Sequence, residues 1–125
     1  MNGWTSEELA RIDLTEELRI ASMRSDGSLR RPVIVWVVRV GDDVYVRAVK
    51  GPAGPWYRGT QTRNEGHIQV GDVSKDVTFV AVGNDLEAEI DAAYREKYRR
   101  YSASIVNSTV TPDARAATLK LVPRS

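Results

Sequence analysis

Arg47, Lys50, Trp56 and Arg58 have the types and spacing to hold an anion with a flat ring attached. Arg47 belongs to the alternating run Val44-Tyr45-Val46-Arg47-Ala48-Val49. Its period of two sets Tyr45, Arg47 and Val49 on one face and Val44, Val46 and Ala48 on the other. The rigid loop Gly51-Pro52-Ala53-Gly54-Pro55 follows, and Pro55 stands where a helix would begin. A helix N-terminus presents free N–H groups and a partial positive charge. With Arg47, Lys50 and Arg58 around it, the segment can bind phosphate or carboxylate, while the Trp56 indole either stacks on a planar ligand or wedges against the fold. Strand arginines more commonly snorkel outward or pair with an acidic neighbour, so the ligand reading requires Arg47 to face a cavity.

The second group is aromatic. Tyr94, Tyr98 and Tyr101 recur at spacings of four and three, on one face of a helix. Such a ladder is either a packing stripe or the mouth of a pocket, where Tyr94 and Tyr98 would be candidate general acids. Trp36, inside an apolar run, reads as core. Arg24, Arg30 and Arg31 surround Asp26-Gly27 and read as a solvated hairpin tip. His67 is the only histidine and reads as a surface hydrogen-bonding residue. Asp42-Asp43, Asp72 and Asp76 read as turn and loop residues. No nucleophile–base–orienter spacing stands out, and no carboxylate motif for a metal. Without cysteine, thiolate sites are excluded, and no metal is expected.

These side chains need a scaffold. Thr5-Ser6-Glu7-Glu8 is a capping box opening a short helix that buries Leu9 and Ile12. Leu18, Ile20 and Ser22 begin a first strand. Val33 to Val40 is almost wholly β-branched, as in a strand buried on both faces. Gly41-Asp42 closes a hairpin onto the Arg47 strand, a short helix runs from Trp56 and is stopped by Gly66, and 67–70 and 77–82 form strands joined across Gly71-Asp72. Asn84 caps a long helix with the stripe Leu86, Ile90, Tyr94, Tyr98, Tyr101 and Ile105. Thr111-Pro112-Asp113 starts a helical turn, and Leu119, Leu121 and Pro123 end the chain in a strand, with 121–125 read as native sequence. The expected fold is α+β: one domain, 1–125, built as a small antiparallel split barrel of five to six strands, with a short N-terminal helix, a short inserted helix and a long C-terminal helix.

Composition narrows the partners. The chain has 125 residues, a net charge of +1, 42% apolar and 28% charged residues. That suits a packed soluble domain and provides no global basic excess for nucleic acid. The longest apolar run, Val33 to Val38, is far short of the about 20 residues that span a bilayer. No signal-peptide pattern appears, and a cytoplasmic location without membrane contact is the default expectation.

The stretches 24–32, Trp36-Val37-Val38, Tyr45-Val46-Arg47, Trp56-Tyr57-Arg58, 90–98 and 117–124 resemble an uncharacterised bacterial family of unknown function. More distantly, the order of elements resembles the flavin-binding split barrels, which include pyridoxamine-phosphate oxidases and deazaflavin-dependent nitroreductases. That resemblance implies homodimers with the cofactor at the subunit interface. It also implies that Arg31, Arg47, Lys50 and Arg58 hold the phosphate of FMN or a deazaflavin, and that tyrosines of the C-terminal helix approach the substrate. The chain departs from this group at Ala48-Val49-Lys50-Gly51, where flavin binders commonly place a phosphate-holding Ser or Thr. Three functions stay open: a flavin- or deazaflavin-dependent oxidoreductase binding a small anionic or aromatic ligand; a cofactor-independent protein acting on a small organic acid or natural-product intermediate; and a dimeric interaction module with no ligand site.

Overall fold

The computed structural model describes residues 3–84 and 86–124. The capping box forms as expected. Thr5 Oγ1 accepts the Glu8 N–H at 3.1 Å, and Glu8 Oε1 accepts the Thr5 N–H at 2.9 Å. This opens α1 (Ser6–Leu14). Two strands and a hairpin follow: β1 (Glu17–Ser22), β2 (Val33–Val40) and β3 (Asp43–Arg47). Then come α2 (Pro55–Thr62), β4 (Glu65–Val70) and β5 (Val73–Ala81). The chain closes with α3 (Glu87–Lys97), α4 (Ala103–Asn107), α5 (Pro112–Ala116) and β6 (Thr118–Pro123). At Gly71, φ is +59°, the left-handed conformation that a two-residue hairpin between Val70 and Val73 requires.

Every strand pair is antiparallel, and the sheet closes on itself in the order β1-β2-β3-β6-β5-β4, with β4 returning to β1. Closure leaves no free sheet edge to recruit another chain. The inward residues, among them Leu18, Ile20, Val44, Val46, Ile68, Phe79, Leu119 and Leu121, form one cluster. Leu9 and Ile12 of α1 and Tyr57 of α2 join it. The α+β barrel read from the sequence is therefore the fold, with six strands.

A second layer packs Ile90, Tyr94 and Tyr98 with Val106 of α4 against the outer faces of Val38 and Tyr45. Four expectations change. The long C-terminal helix is broken: α3 ends at Lys97 and α4 starts after Ser102. The Tyr98 hydroxyl is bonded to the backbone of Val37 and Glu16, and Tyr101 Oη donates to Glu16 Oε1 at 2.7 Å. These anchors turn the chain out of the helical path and leave Ile105 49% exposed, off the stripe. Leu86, not Asn84, is the N-cap residue of α3. β2 is buried on both faces only at Val37 and Val38, where α3 packs on it; the other half borders an open hollow, and Ile34 there is 54% exposed. Gly66 does not stop a helix. It lies in β4, where a Cβ would come within 2.3 Å of the Ala21 carbonyl oxygen and 2.7 Å of the Phe79 ring. Only glycine lets β1 and Phe79 approach so closely.

Candidate functional site

That other half of β2 forms one wall of a cavity of about 500 Å³. Val33, Val35 and Trp36 line it from β2, and Gly54, Pro55 and Trp56 from the start of α2. Arg47, Val49 and Lys50 line it from β3 and the following loop, and Ile105, Ser108 and Thr109 from α4 and its end. The wall is mainly apolar with two cationic side chains. No side chain caps α2, whose first residues Pro55 and Trp56 line the cavity.

Arg47 is the last residue of β3, opposite Thr118 of β6. Its alternation places it on the outer face of the barrel, where the C-terminal helices bury it to 3% exposure. A guanidinium has five N–H donors. Nε donates to Thr118 Oγ1 at 2.9 Å, and Nη1 to Asp91 Oδ1 at 2.5 Å and the Thr109 carbonyl at 2.8 Å. Nη2 bonds to no described residue, yet no occluded polar side-chain atom lacks a partner. Arg47 also lines the cavity, with only 1% of its side chain exposed. The guanidinium carbon also stands 5.5 Å from the Tyr94 ring centre.

Asp91 is shared. Its second oxygen accepts from Arg115 Nη2 at 2.7 Å and Nε at 3.1 Å. Burial pushes this carboxyl up, but hydrogen bonds and charge from Arg115 and Arg47 outweigh it and hold the group below the usual range. Of the two readings of Arg47, the structure shows the pair with an acidic neighbour, Asp91, and places the residue in the cavity wall. Asp91 was not singled out by the sequence reading. Its one signal was an acidic residue, Asp91, three positions before Tyr94, on the same helix face.

The other sequence candidates separate. Trp56 and Lys50 join Arg47 at the cavity, with Lys50 exposed at its rim. Arg58 is exposed and lines a different, shallower hollow with Arg30. Arg31 is exposed in the β1–β2 connection and lines neither. Tyr94 and Tyr98 are 1% and 0% exposed, within the core and away from the cavity wall. Tyr94 Oη donates to the Trp36 carbonyl at 3.2 Å, and Tyr98 Oη accepts the Val37 N–H at 3.0 Å. Burial raises both phenols well above their ordinary range. They are packing groups and not acids facing a ligand. Trp36, read as core, is half-buried: one face stacks on Tyr98 at 3.9 Å with 5° between the planes, and the residue also lines the cavity.

A family model described as "Uncharacterized protein conserved in bacteria (DUF2255)" matches residues 8–121. The chain belongs to this family. No curated protein matches it in sequence. Among solved structures, this DUF2255 chain is similar to the heme storage protein HutZ of Vibrio cholerae, with TM-score 0.65, 13% identity, and 96% of this chain and 90% of that one covered. It is also similar to an F420-H2 dependent reductase, with TM-score 0.62, 18% identity and coverage of 86% and 93%. A third is an FAD-binding protein of Mesorhizobium loti, with TM-score 0.61, 12% identity and coverage of 98% and 91%. At these identities the DUF2255 chain shares their split-barrel fold. No helix among its described residues is long and apolar enough to cross a membrane.

Proposed function

We propose that this DUF2255 protein binds a planar, anionic cofactor of the flavin or deazaflavin type and acts as an oxidoreductase on a small molecule. The observation that carries the reading is an apolar cavity whose wall includes Arg47, Lys50, Trp36 and Trp56 beside a helix start with no side-chain cap. The cavity volume falls in the about 300–1,000 Å³ range of small-ligand sites. Trp36 and Trp56 supply ring-stacking surface, and Arg47 and Lys50 supply cations for a phosphate or carboxylate. The wall carries no His, Cys, Met or Tyr, so its donor set does not fit axial ligation of heme iron. A bound flavin or deazaflavin would supply hydride transfer. The chain's own residues bind and orient it and exclude water, since the wall offers no carboxyl or imidazole for proton transfer.

Ile34, Val49 and Ile105 stay exposed at the cavity mouth. Apolar surface gathered at one rim marks a covered face, and we assign the cover to a second subunit in a homodimer. A second reading, a small organic acid without cofactor, draws on Asp91, which already neutralises part of the Arg47 charge, and on Ala48-Val49, which lack a phosphate-holding hydroxyl.

Titration with FMN and with oxidised deazaflavin, followed by tryptophan quenching alongside native mass spectrometry, tests both. Saturable binding weakened roughly tenfold by Trp56→Ala, about 1.4 kcal/mol, supports the cofactor. Binding of small carboxylates but of neither flavin supports the second reading, and binding of none of them removes the cavity as a ligand site.

A further inference from the structure

On the outer face of the β4–β5 hairpin, away from the cavity, three side chains meet that the sequence reading left as unconnected loop and surface residues. His67 Nδ1 lies 2.9 Å from Asp76 Oδ1, and His67 Nε2 lies 2.7 Å from Ser74 Oγ. A carboxylate only accepts hydrogen bonds, so Nδ1 carries the proton toward Asp76. In the neutral ring Nε2 then presents its lone pair, and the Ser74 hydroxyl donates to it. Orienter, base and nucleophile thus occupy the correct nitrogens for an activated serine. The register makes this local: His67 faces Asp76 across the two strands, and Ser74 is two residues from Asp76 on the same face. The fourth participant is Gln69, the direct cross-strand partner of Ser74, exposed and on the same face. Its amide is a candidate donor to an oxyanion formed beside Ser74.

We propose that Ser74 is a nucleophile, with His67 as its general base and Asp76 as a positioning residue, and that it accepts acyl groups from small activated esters. Ser74 also borders a shallow hollow of about 320 Å³ lined by Glu7, Glu8, Arg11 and Asp72; Arg11 pairs with Asp72 and Lys75 with Glu8, so little charge is left uncompensated and a neutral ester suits it. In the step, Ser74 Oγ bonds to the ester carbonyl carbon and its proton passes to His67 Nε2. The intermediate collapses by breaking the bond to the leaving oxygen, which departs with the His67 proton. Water then adds to the acyl carbon through the same base, the Ser74 Oγ–acyl bond breaks, and the carboxylic acid is released.

The test treats the full chain with p-nitrophenyl acetate, maps acetylated peptides by mass spectrometry and checks folding of each variant by thermal melt. Acetyl is expected on Ser74, with labelling slowed roughly a hundredfold or more in His67→Ala, the scale of general-base assistance. Asp76→Asn should slow it at least roughly tenfold and abolish the downfield Nδ1 proton resonance of His67, while Asp76→Glu restores part of the rate. Acetyl confined to lysines or the amino terminus, or Ser74 labelling indifferent to His67→Ala in a variant that melts like the parent, overturns the proposal. Neither result bears on the cavity, which shares none of these residues.

Discussion

Arg47 Nη1 and Asp91 Oδ1 lie 2.5 Å apart, joining β3 to α3 where both side chains are almost wholly buried. Such a pair is costly to break because the survivor is a charge without compensation. Asp91→Ala is expected to destabilise the protein by about 3–5 kcal/mol in urea unfolding, and an apolar double replacement of Arg47 and Asp91 to recover most of that loss. Equal stability of Asp91→Ala and parent would mean that the pair does not hold the helix layer to the barrel.

Lys50 tests the cavity without touching the core. It is exposed at the rim, so Lys50→Glu should leave stability within about 0.5 kcal/mol of the parent. It should weaken binding of an anionic flavin, and the difference should shrink as salt screens the rim charge. Calorimetric titration at two ionic strengths reads both effects.

The Tyr98 hydroxyl takes the Val37 N–H, and its one proton is shared between the carbonyl oxygens of Glu16 and Val37, each 2.8 Å away. Tyr98→Phe leaves buried backbone groups without a partner and should cost about 1–3 kcal/mol. The stacked Trp36 provides the probe, since its fluorescence reports the loosened contact.

Alkaline pH should produce a rise and then a fall in stability. Lys97 Nζ donates to the carbonyls of Ile12, Thr15 and Val37, each at 2.8 Å. Burial lowers its pKa from 10.5 to about 8, against the opposing pull of Asp13 and Glu16. Between those values the unfolded chain binds more protons than the folded one, so this group adds stability as pH rises through the window. Burial raises Tyr94 and Tyr98 above the ordinary 10.0, so beyond pH 10 the unfolded chain releases protons that the folded one keeps, and stability falls. Melts across pH 7–12 should show the rise flattened in Lys97→Met, and a steady decline from pH 8 in the parent would contradict the assignment.

Ile34 is the most exposed apolar residue at the cavity mouth. Ile34→Glu should shift a homodimer toward monomer in size-exclusion chromatography with little change in the monomer's stability. An unchanged elution volume in a dimeric parent would place the subunit contact elsewhere.

Much of the scaffold was legible because its signals are local. The Thr5–Glu8 box and the Gly41 and Gly71 turns act over a few residues, and each forms where it was read, whereas the strand read from Val44 to Val49 stops at Arg47 and leaves Val49 exposed in a turn. The His67–Asp76 contact was also within reach. A two-residue turn at Gly71-Asp72 fixes the register back along both strands, and counting from it sets His67 opposite Asp76. Gly66 was misread because a helix stop and a close strand crossing ask for the same residue, and only the neighbouring strand distinguishes them.

By itself the sequence determined the elements, their turns and the antiparallel barrel, since backbone propensity, capping and hydrophobic period are properties of neighbouring residues. Tertiary structure alone decided the uses of the side chains. Asp91, 44 positions from Arg47, pairs with its guanidinium where both are buried. Tyr94 and Tyr98 become core because the barrel wall covers them, while Ile34 stays 54% exposed at the mouth of the cavity. Burial and pairing depend on which distant segment arrives, and no local pattern of residues encodes that arrival.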